Sequence, residues 1–263
     1  MKLFDSHCHL DDRSYDNDLD KVIRNMDDAG VAKAMIVGIT KKSSEKAVNM
    51  AESYTGFCFY ASVGIHPHDA KDCSEPGLDF LRKLAKSSKV KAWGETGLDF
   101  NRMYSPRDDQ ERCFIRQLEI ADDLKLPLIF HERDSNGRFL DILKAHYIKR
   151  TGVVHCFSGN KKELEEYLEL GLYIGITGIL TIRTRGADLR KMVPFIPANR
   201  ILIETDAPYL TPAPEKNRTR RNEPGFVKSV LLKLAEVRNE DPEHLADVIW
   251  KNTCRLYNTG EEG

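Results

Sequence analysis

Eight short, almost wholly apolar runs recur along the chain, most of them followed by a longer amphipathic stretch, and that alternation limits the fold more than any other feature. The runs are LFDSH (3–7), AKAMIVGI (32–39), FYASVGI (59–65), VKAWGE (90–95), PLIFHE (127–132), GVVHCF (152–157), LYIGITG (172–178) and ILIETD (201–206). None alternates cleanly between apolar and polar residues, the mark of strands buried on both faces of a parallel sheet. Between them, Leu19 to Ala29, Ser44 to Tyr54, Gln110 to Lys125 and Lys161 to Leu170 place apolar residues three and four apart, as amphipathic helices do. Eight such strands in 263 residues predict an α/β fold of the (β/α)8 TIM-barrel type. The competing arrangement, an open doubly wound sheet, ordinarily carries a GxGxxG turn after its first strand, whereas here the strand runs into DSHCHLDD. Two more helical patterns, Phe226 to Arg238 and Pro242 to Tyr257, follow the last strand, and no repeat or linker interrupts the chain, so residues 1–263 are expected to form a single domain.

Charge and cysteine usage narrow the function classes. Forty basic residues stand against 41 acidic ones, a formal net charge of −1, so no global positive field holds a polyanion and any such contact must come from a local patch. The six cysteines contain no CxxC pair, which argues against a disulfide framework and a thiolate zinc site and favours a reducing compartment. The N-terminal MKLFDSHCHLDDR lacks the apolar stretch of a signal peptide, and no run approaches the roughly 18 apolar residues of a membrane helix. The expectation is a cytoplasmic protein without membrane association and without an obligatory protein partner.

The chemistry lies in where histidines and acids fall relative to the strands. His7 and His9 sit two apart at the end of the first strand, so both project from one face and can share one metal. Glu95 closes the fourth strand, His131 falls in the fifth, His155 follows two valines in the sixth, and Asp206 ends the eighth. In a barrel these are C-terminal strand ends, the face that carries the active site. Strand eight closing on strand one brings Asp206 beside His7 and His9, while consecutive strands four, five and six gather Glu95, His131 and His155. A carboxylate can bridge, so the economical site holds two ions roughly 3.5–4 Å apart that share Glu95. A single strand-end histidine is more often a satisfied core residue than a ligand, but four histidines and two acids on one face would be costly to bury unpaired. His146 and His244 fall in helical segments and are expected at the surface. His66 and His68 are expected to line the site without ligating, and Cys8 and Cys156, each beside a ligand candidate, to point away from it.

DSHCHL (5–10), VGIHPHDA (63–70), GETGLDF (94–100), HCFSG (155–159), ETDAPYLTP (204–212) and RRNEP (220–224) resemble, in order, the motifs of the TatD family of metal-dependent deoxyribonucleases within the amidohydrolase superfamily. Thr96 departs from the aliphatic residue many members carry there. The resemblance implies a TIM barrel with two divalent ions and hydrolysis of DNA phosphodiesters, commonly by trimming from the 3′ end. It carries the family's ligands onto His7, His9, Glu95, His131, His155 and Asp206. The donor set suits Zn²⁺ or Mn²⁺, as well as Fe²⁺ or Co²⁺, and Mg²⁺ where carboxylates dominate.

In that reading Asp206 and Glu95 are the catalytic carboxylates: Asp206 both ligates and takes the proton of the attacking water, and Glu95 bridges. The expected substrate is DNA, single-stranded or with a free 3′ end. KNRTRR (216–221) puts four basic residues within six on the loop leaving the eighth strand, so Arg220 and Arg221 are candidate phosphate contacts, as is Arg133. Tyr209 is a candidate to stack on a base and His66 to line the substrate. The rival reading is a metal-dependent amidohydrolase or deacylase acting on a small molecule or an aminoacyl ester. A barrel kept only as a binding protein is disfavoured by the intact ligand set.

Overall fold

The computed structural model describes residues 1–146 and 151–260. Eight strands, β1 (Leu3–Cys8), β2 (Val31–Val37), β3 (Cys58–Val63), β4 (Val90–Asp99), β5 (Leu128–Arg133), β6 (Gly152–Val154), β7 (Tyr173–Ile176) and β8 (Ile201–Ile203), lie in sequence order in one sheet. Every pairing is parallel. The sheet closes just past β8, where the Asp206 N–H donates to the His7 carbonyl at 2.9 Å and the His9 N–H to the Ala207 carbonyl at 2.7 Å. The helices between strands are α1 (Leu19–Asp28), α2 (Lys41–Ser53), α3 (Glu75–Leu84), α4 (Arg107–Leu124), α5 (Arg138–Ala145), α6 (Lys161–Glu169) and α7 (Ala187–Met192), and α8 (Val227–Arg238) and α9 (Pro242–Tyr257) follow β8. The expected TIM barrel is the observed fold.

Alternation along the strands divides the apolar residues into two layers. Leu128, Phe130, Val154, Ile201 and Ile203 face the helices, whereas Phe4, Met35, Ala92, Ile129, Val153 and Leu202 pack in a separate core with Trp250 and Tyr257 of α9. Helix α9 thus plugs the end where the strands begin: Tyr257 donates to the Ser6 carbonyl at 3.3 Å, and the Phe4 ring lies 6.2 Å from that of Trp250. With that end stoppered, polar groups gather at the other.

Several boundaries differ from the sequence expectation for local reasons. Helix α2 starts at Lys41 rather than Ser44 because Thr40 and Ser43 form a capping box, which apolar periodicity does not report. Strand β4 runs on to Asp99, so Glu95 lies inside the strand instead of closing it. Gly97 permits this, since any Cβ there would collide with the His131 carbonyl of β5 and its φ is 148°. Strands β6 and β8 are shorter than the apolar runs: His155 lies just after β6, Asp206 three residues after β8, and Cys156 and Asp206 take left-handed backbone at φ 49° and 57° that ends the ladder.

Candidate metal centre

At the C-terminal strand ends the side chains converge. His7 Nε2 lies 3.3 Å from His9 Nε2, 3.4 Å from Glu95 Oε2 and 3.8 Å from Asp206 Oδ1. His9 Nε2 lies 3.4 Å from the same Asp206 oxygen. The other Glu95 oxygen, Oε1, is 2.7 Å from His131 Nδ1 and 3.3 Å from His66 Nε2. Glu95 therefore faces two histidine groups with one oxygen each.

The grouping departs from the sequence expectation in one respect. His155 does not join His131; its ring stacks on His7 with centroids 3.6 Å apart, and its Nε2 points to Asp206 at 3.7 Å. The left-handed turn at Cys156 redirects the chain after β6. His66 takes the place beside Glu95 and His131, within contact distance of both.

Three of the rings are held from behind. His9 Nδ1 meets the Val37 carbonyl at 3.0 Å, His131 Nε2 meets Asp99 Oδ2 at 3.3 Å, and His155 Nδ1 meets Glu204 Oε1 at 2.9 Å. The His9 and His131 contacts are hydrogen bonds of the kind that fix the tautomer and orientation of a metal-binding imidazole and raise its basicity, while that of His155 is a charge contact with Glu204. Sequence reasoning gives Asp99 and Glu204 no role, although strand parity carries the signal for one of them: Glu204 is two residues from inward-facing Leu202 and two from Asp206.

The electrostatics report a site short of positive charge. Burial alone would drive every imidazole neutral, yet the Asp206 carboxylate lifts His9 to about 9, Asp99 and Glu95 lift His131 to about 9, and Glu204 and Glu95 lift His155 to about 10. Burial, followed by the His131 charge, pushes His66 down to about 4, and burial with the His155 charge lowers His7. Against the opposing pull of burial, the neighbouring histidines hold Glu95 well below the usual carboxylate range, and Asp206 is held below it too. Protons stand where cations would serve: two imidazole nitrogens facing each other at 3.3 Å beside carboxylates form a nitrogen and oxygen donor set that divalent ions fit.

Beside this cluster opens a cavity of about 1000 Å³ whose wall includes His131, His155, Asp206, Arg133, Arg185 and Phe195. Asp206 is open to it, with 15% of its side chain exposed against 4% for Glu95. Tyr209 is exposed at the mouth, its ring centroid 6.0 Å from that of His9. Arg133 lines the cavity, as expected of a phosphate contact, and Arg220 lines a smaller cavity next to it. Arg221 does not reach either. Its guanidinium bonds both Asp18 oxygens at 2.7 and 2.6 Å, Glu223 at 3.1 Å and the Ser14 carbonyl at 2.6 Å, and lies over the Tyr15 ring, so its donors are spent on anchoring the loop. Cys8 turns outward and donates to the Met35 carbonyl, while Cys156 lines the cavity wall beside Thr177 without joining the cluster. His146, the residue just past α5, and His244 in the first turn of α9 are exposed.

Residues 4–258 match the family model described as TatD related DNase. The chain belongs to the TatD family. It is 42% identical over 97% of its length to a protein of Rahnella sp. named 3'-5' ssDNA/RNA exonuclease TatD, covering 98% of that protein. It is 40% identical, with the same coverage on both sides, to the protein so named in Citrobacter koseri. Among solved structures, the TatD homologue YJJV from Escherichia coli superposes with a TM-score of 0.90 at 30% identity, covering 98% of both chains. As a TatD-family member the chain is a metal-dependent nuclease that hydrolyses phosphodiester bonds. That membership selects the nuclease among the readings of the metal centre.

Proposed function

We propose that this enzyme shortens single-stranded nucleic acid stepwise from its 3′ end, and that His7, His9, Glu95, His131, His155 and Asp206 hold two divalent ions. The observation that carries the reading is Glu95 turning one oxygen to His7 and the other to His131 at the side of a cavity walled by guanidinium groups. Relatives about 40% identical that are named 3'-5' ssDNA/RNA exonucleases support the direction and the strand class. Ions held by these residues would neutralise the phosphate charge and lower the pKa of bound water so that hydroxide is available near neutral pH.

The chain's own groups divide the remaining work. Asp206, anionic and open to the cavity, accepts the proton of the attacking water while that oxygen bonds to phosphorus, and the bond to O3′ of the preceding nucleotide breaks with its electron pair leaving on O3′, which takes up a proton from the water of the open cavity. Glu95, almost fully buried, holds charge in place and meets no substrate. Arg133 and Arg220 take phosphates, and Tyr209 stacks on a base. Six free cysteines accord with a cytoplasmic location, and no described helix is long and apolar enough to cross a membrane.

The test is a metal-stripped preparation given end-labelled linear and circular single-stranded DNA, with each divalent ion added back. Linear strands should shorten to mononucleotides and circles should survive. Rapid cutting of circles would overturn the exonuclease reading while leaving metal-dependent hydrolysis in place.

A further inference from the structure

Among the described residues, only three aromatic side chains are largely exposed: Phe195 at 67%, Tyr104 at 57% and Tyr209 at 54%. Exposed rings have an apolar face in water without return, so their placement is informative. All three surround the metal centre. Tyr104 stands edge-on to His68 at 4.7 Å, Tyr209 stands over His9, and Phe195 forms part of the cavity wall that also contains His131, His155 and Asp206. Phe195 is the most exposed, and it sits in a short turn after α7 with Lys161 5.3 Å from its ring centroid.

The charges of the same wall are unevenly satisfied. Its carboxylates all have partners: Glu132 accepts from the Ser135 hydroxyl and Asp134 from the Asn101 amide. Glu163 accepts from the Asn160 N–H and Asp188 pairs with Lys191 at 2.7 Å. Arg133 and Arg185, by contrast, have no ion pair or side-chain hydrogen bond among the described residues. Arg185 and Leu210 also line a second cavity of about 330 Å³ that adds Lys216 and Arg220. A run of unpaired cations, Arg133, Arg185, Lys216 and Arg220, therefore leads away from the metal centre past one exposed ring.

We infer that this cavity is a nucleotide subsite in which Phe195 stacks on one base of the bound strand while Arg133 and Arg185 hold its flanking phosphates, and that Lys216 and Arg220 guide the strand onward. The chemistry fits a single strand, because a ring face accepts any unstacked base and a duplex offers none, and because a guanidinium matches a phosphate with two parallel donors. The inference rests on the proposal that nucleic acid is the substrate and adds where the strand lies and which ring selects for unpaired bases.

The experiment uses binding in EDTA, where no hydrolysis occurs, read by anisotropy of 5′-labelled oligothymidylates in which a single abasic residue is moved along the strand. Phe195→Ala should weaken binding of the intact oligonucleotide roughly 5- to 150-fold, the range for removal of one base stack. At one abasic position, parent and variant should bind alike, because the base that would stack is gone from both. Phe195→Trp should restore binding, and its fluorescence should quench on adding oligothymidylate but not inorganic phosphate; both native tryptophans are buried and contribute a constant background. Arg133→Ala with Arg185→Ala should flatten the salt dependence by roughly 0.7 in log–log slope for each phosphate the variant no longer neutralises. The inference fails if Phe195→Ala binds every oligonucleotide as the parent does, or loses the same factor with every abasic position. Base-sensitive binding through Phe195 in a protein that shortens no strand would overturn the exonuclease proposal and keep the subsite. Shortening that ignores Phe195 would do the reverse.

Discussion

Glu204 Oε1 lies 2.9 Å from Nδ1 of His155, and the same oxygen accepts the Cys156 N–H at 2.6 Å. One fully buried carboxylate thus sets its charge against the ring of His155 and hydrogen-bonds the backbone turn that presents it, leaving Nε2 toward Asp206. Asp99 does the corresponding work for His131, and it also meets His68 Nε2 at 2.7 Å. Each pair couples a buried acid to an imidazole, so the acid's charge sets how strongly that imidazole donates to a cation.

Glu204→Gln keeps the shape and removes the charge. Divalent-ion affinity, measured by chelator competition, should fall roughly 10- to 100-fold, with Asp99→Asn giving a drop of similar size. Unchanged far-ultraviolet dichroism would show that the fold persists. Parent-level affinity in both variants would mean that the two acids merely fill space.

Glu95 faces both histidine groups, so Glu95→Gln should abolish hydrolysis whichever ion is supplied. A ligand that binds only the native state stabilises it by RT ln(1 + [L]/Kd), so the rise in Tm is larger the tighter the binding. The rise in Tm on adding Mn²⁺ to metal-stripped protein should therefore shrink in this variant relative to the parent. Hydrolysis near the parent rate would remove the shared-carboxylate arrangement.

Without metal, the site's protons make stability depend on pH. His9 and His131 stay protonated to about 9 and His155 to about 10 in the folded chain, against roughly 6.5 for histidine in an unfolded one. The folded state then binds more protons than the unfolded state between these values, so the stabilisation is complete below pH 6.5 or so and is lost as pH rises through 9. Buried Asp5, held protonated to about 8, acts in the same sense over its part of the range. In EDTA, Tm should fall steadily from pH 6.5 to 9.5, whereas the Tm rise caused by added metal should grow over that interval because protons no longer compete for the ligands. A flat or rising Tm in EDTA would show that the histidines are not charged.

Sequence patterning made the barrel legible because strands buried on both faces leave an unbroken apolar record that does not depend on tertiary detail. Strand-end placement then made His7, His9, Glu95, His131, His155 and Asp206 stand out together, and the structure brings all six into one cluster. The rest was hidden where contacts are long-range. Asp99 and Glu204 act through partners more than 30 residues away, and His66 reaches Glu95 from the β3 loop, so no local pattern marks them. Arg221 misled for the converse reason: in sequence it is part of a basic run, and only the fold supplies Asp18, 203 residues distant, to neutralise it.

That last contrast can be tested directly, because neighbouring arginines are assigned opposite roles. Arg220 lines the second cavity and Arg218 is exposed on the same loop, and neither has a carboxylate partner among the described residues. Replacing both with Ala should weaken single-stranded DNA binding and lower the log–log salt slope by up to roughly 0.7 for each phosphate left without its arginine, with Tm unchanged, since exposed unpaired side chains contribute little to folding. Arg221→Ala should show the opposite pattern. Its pair with Asp18 is partly exposed, so the loss of stability should be modest, on the order of 1 kcal/mol, and visible as a lower Tm. Its salt slope should match the parent, because the Arg221 donors are already committed to Asp18, Glu223 and Ser14. An Arg221→Ala variant that keeps its Tm but loses DNA affinity with a flatter slope would return Arg221 to the phosphate contacts and dissolve the distinction between the two halves of the loop.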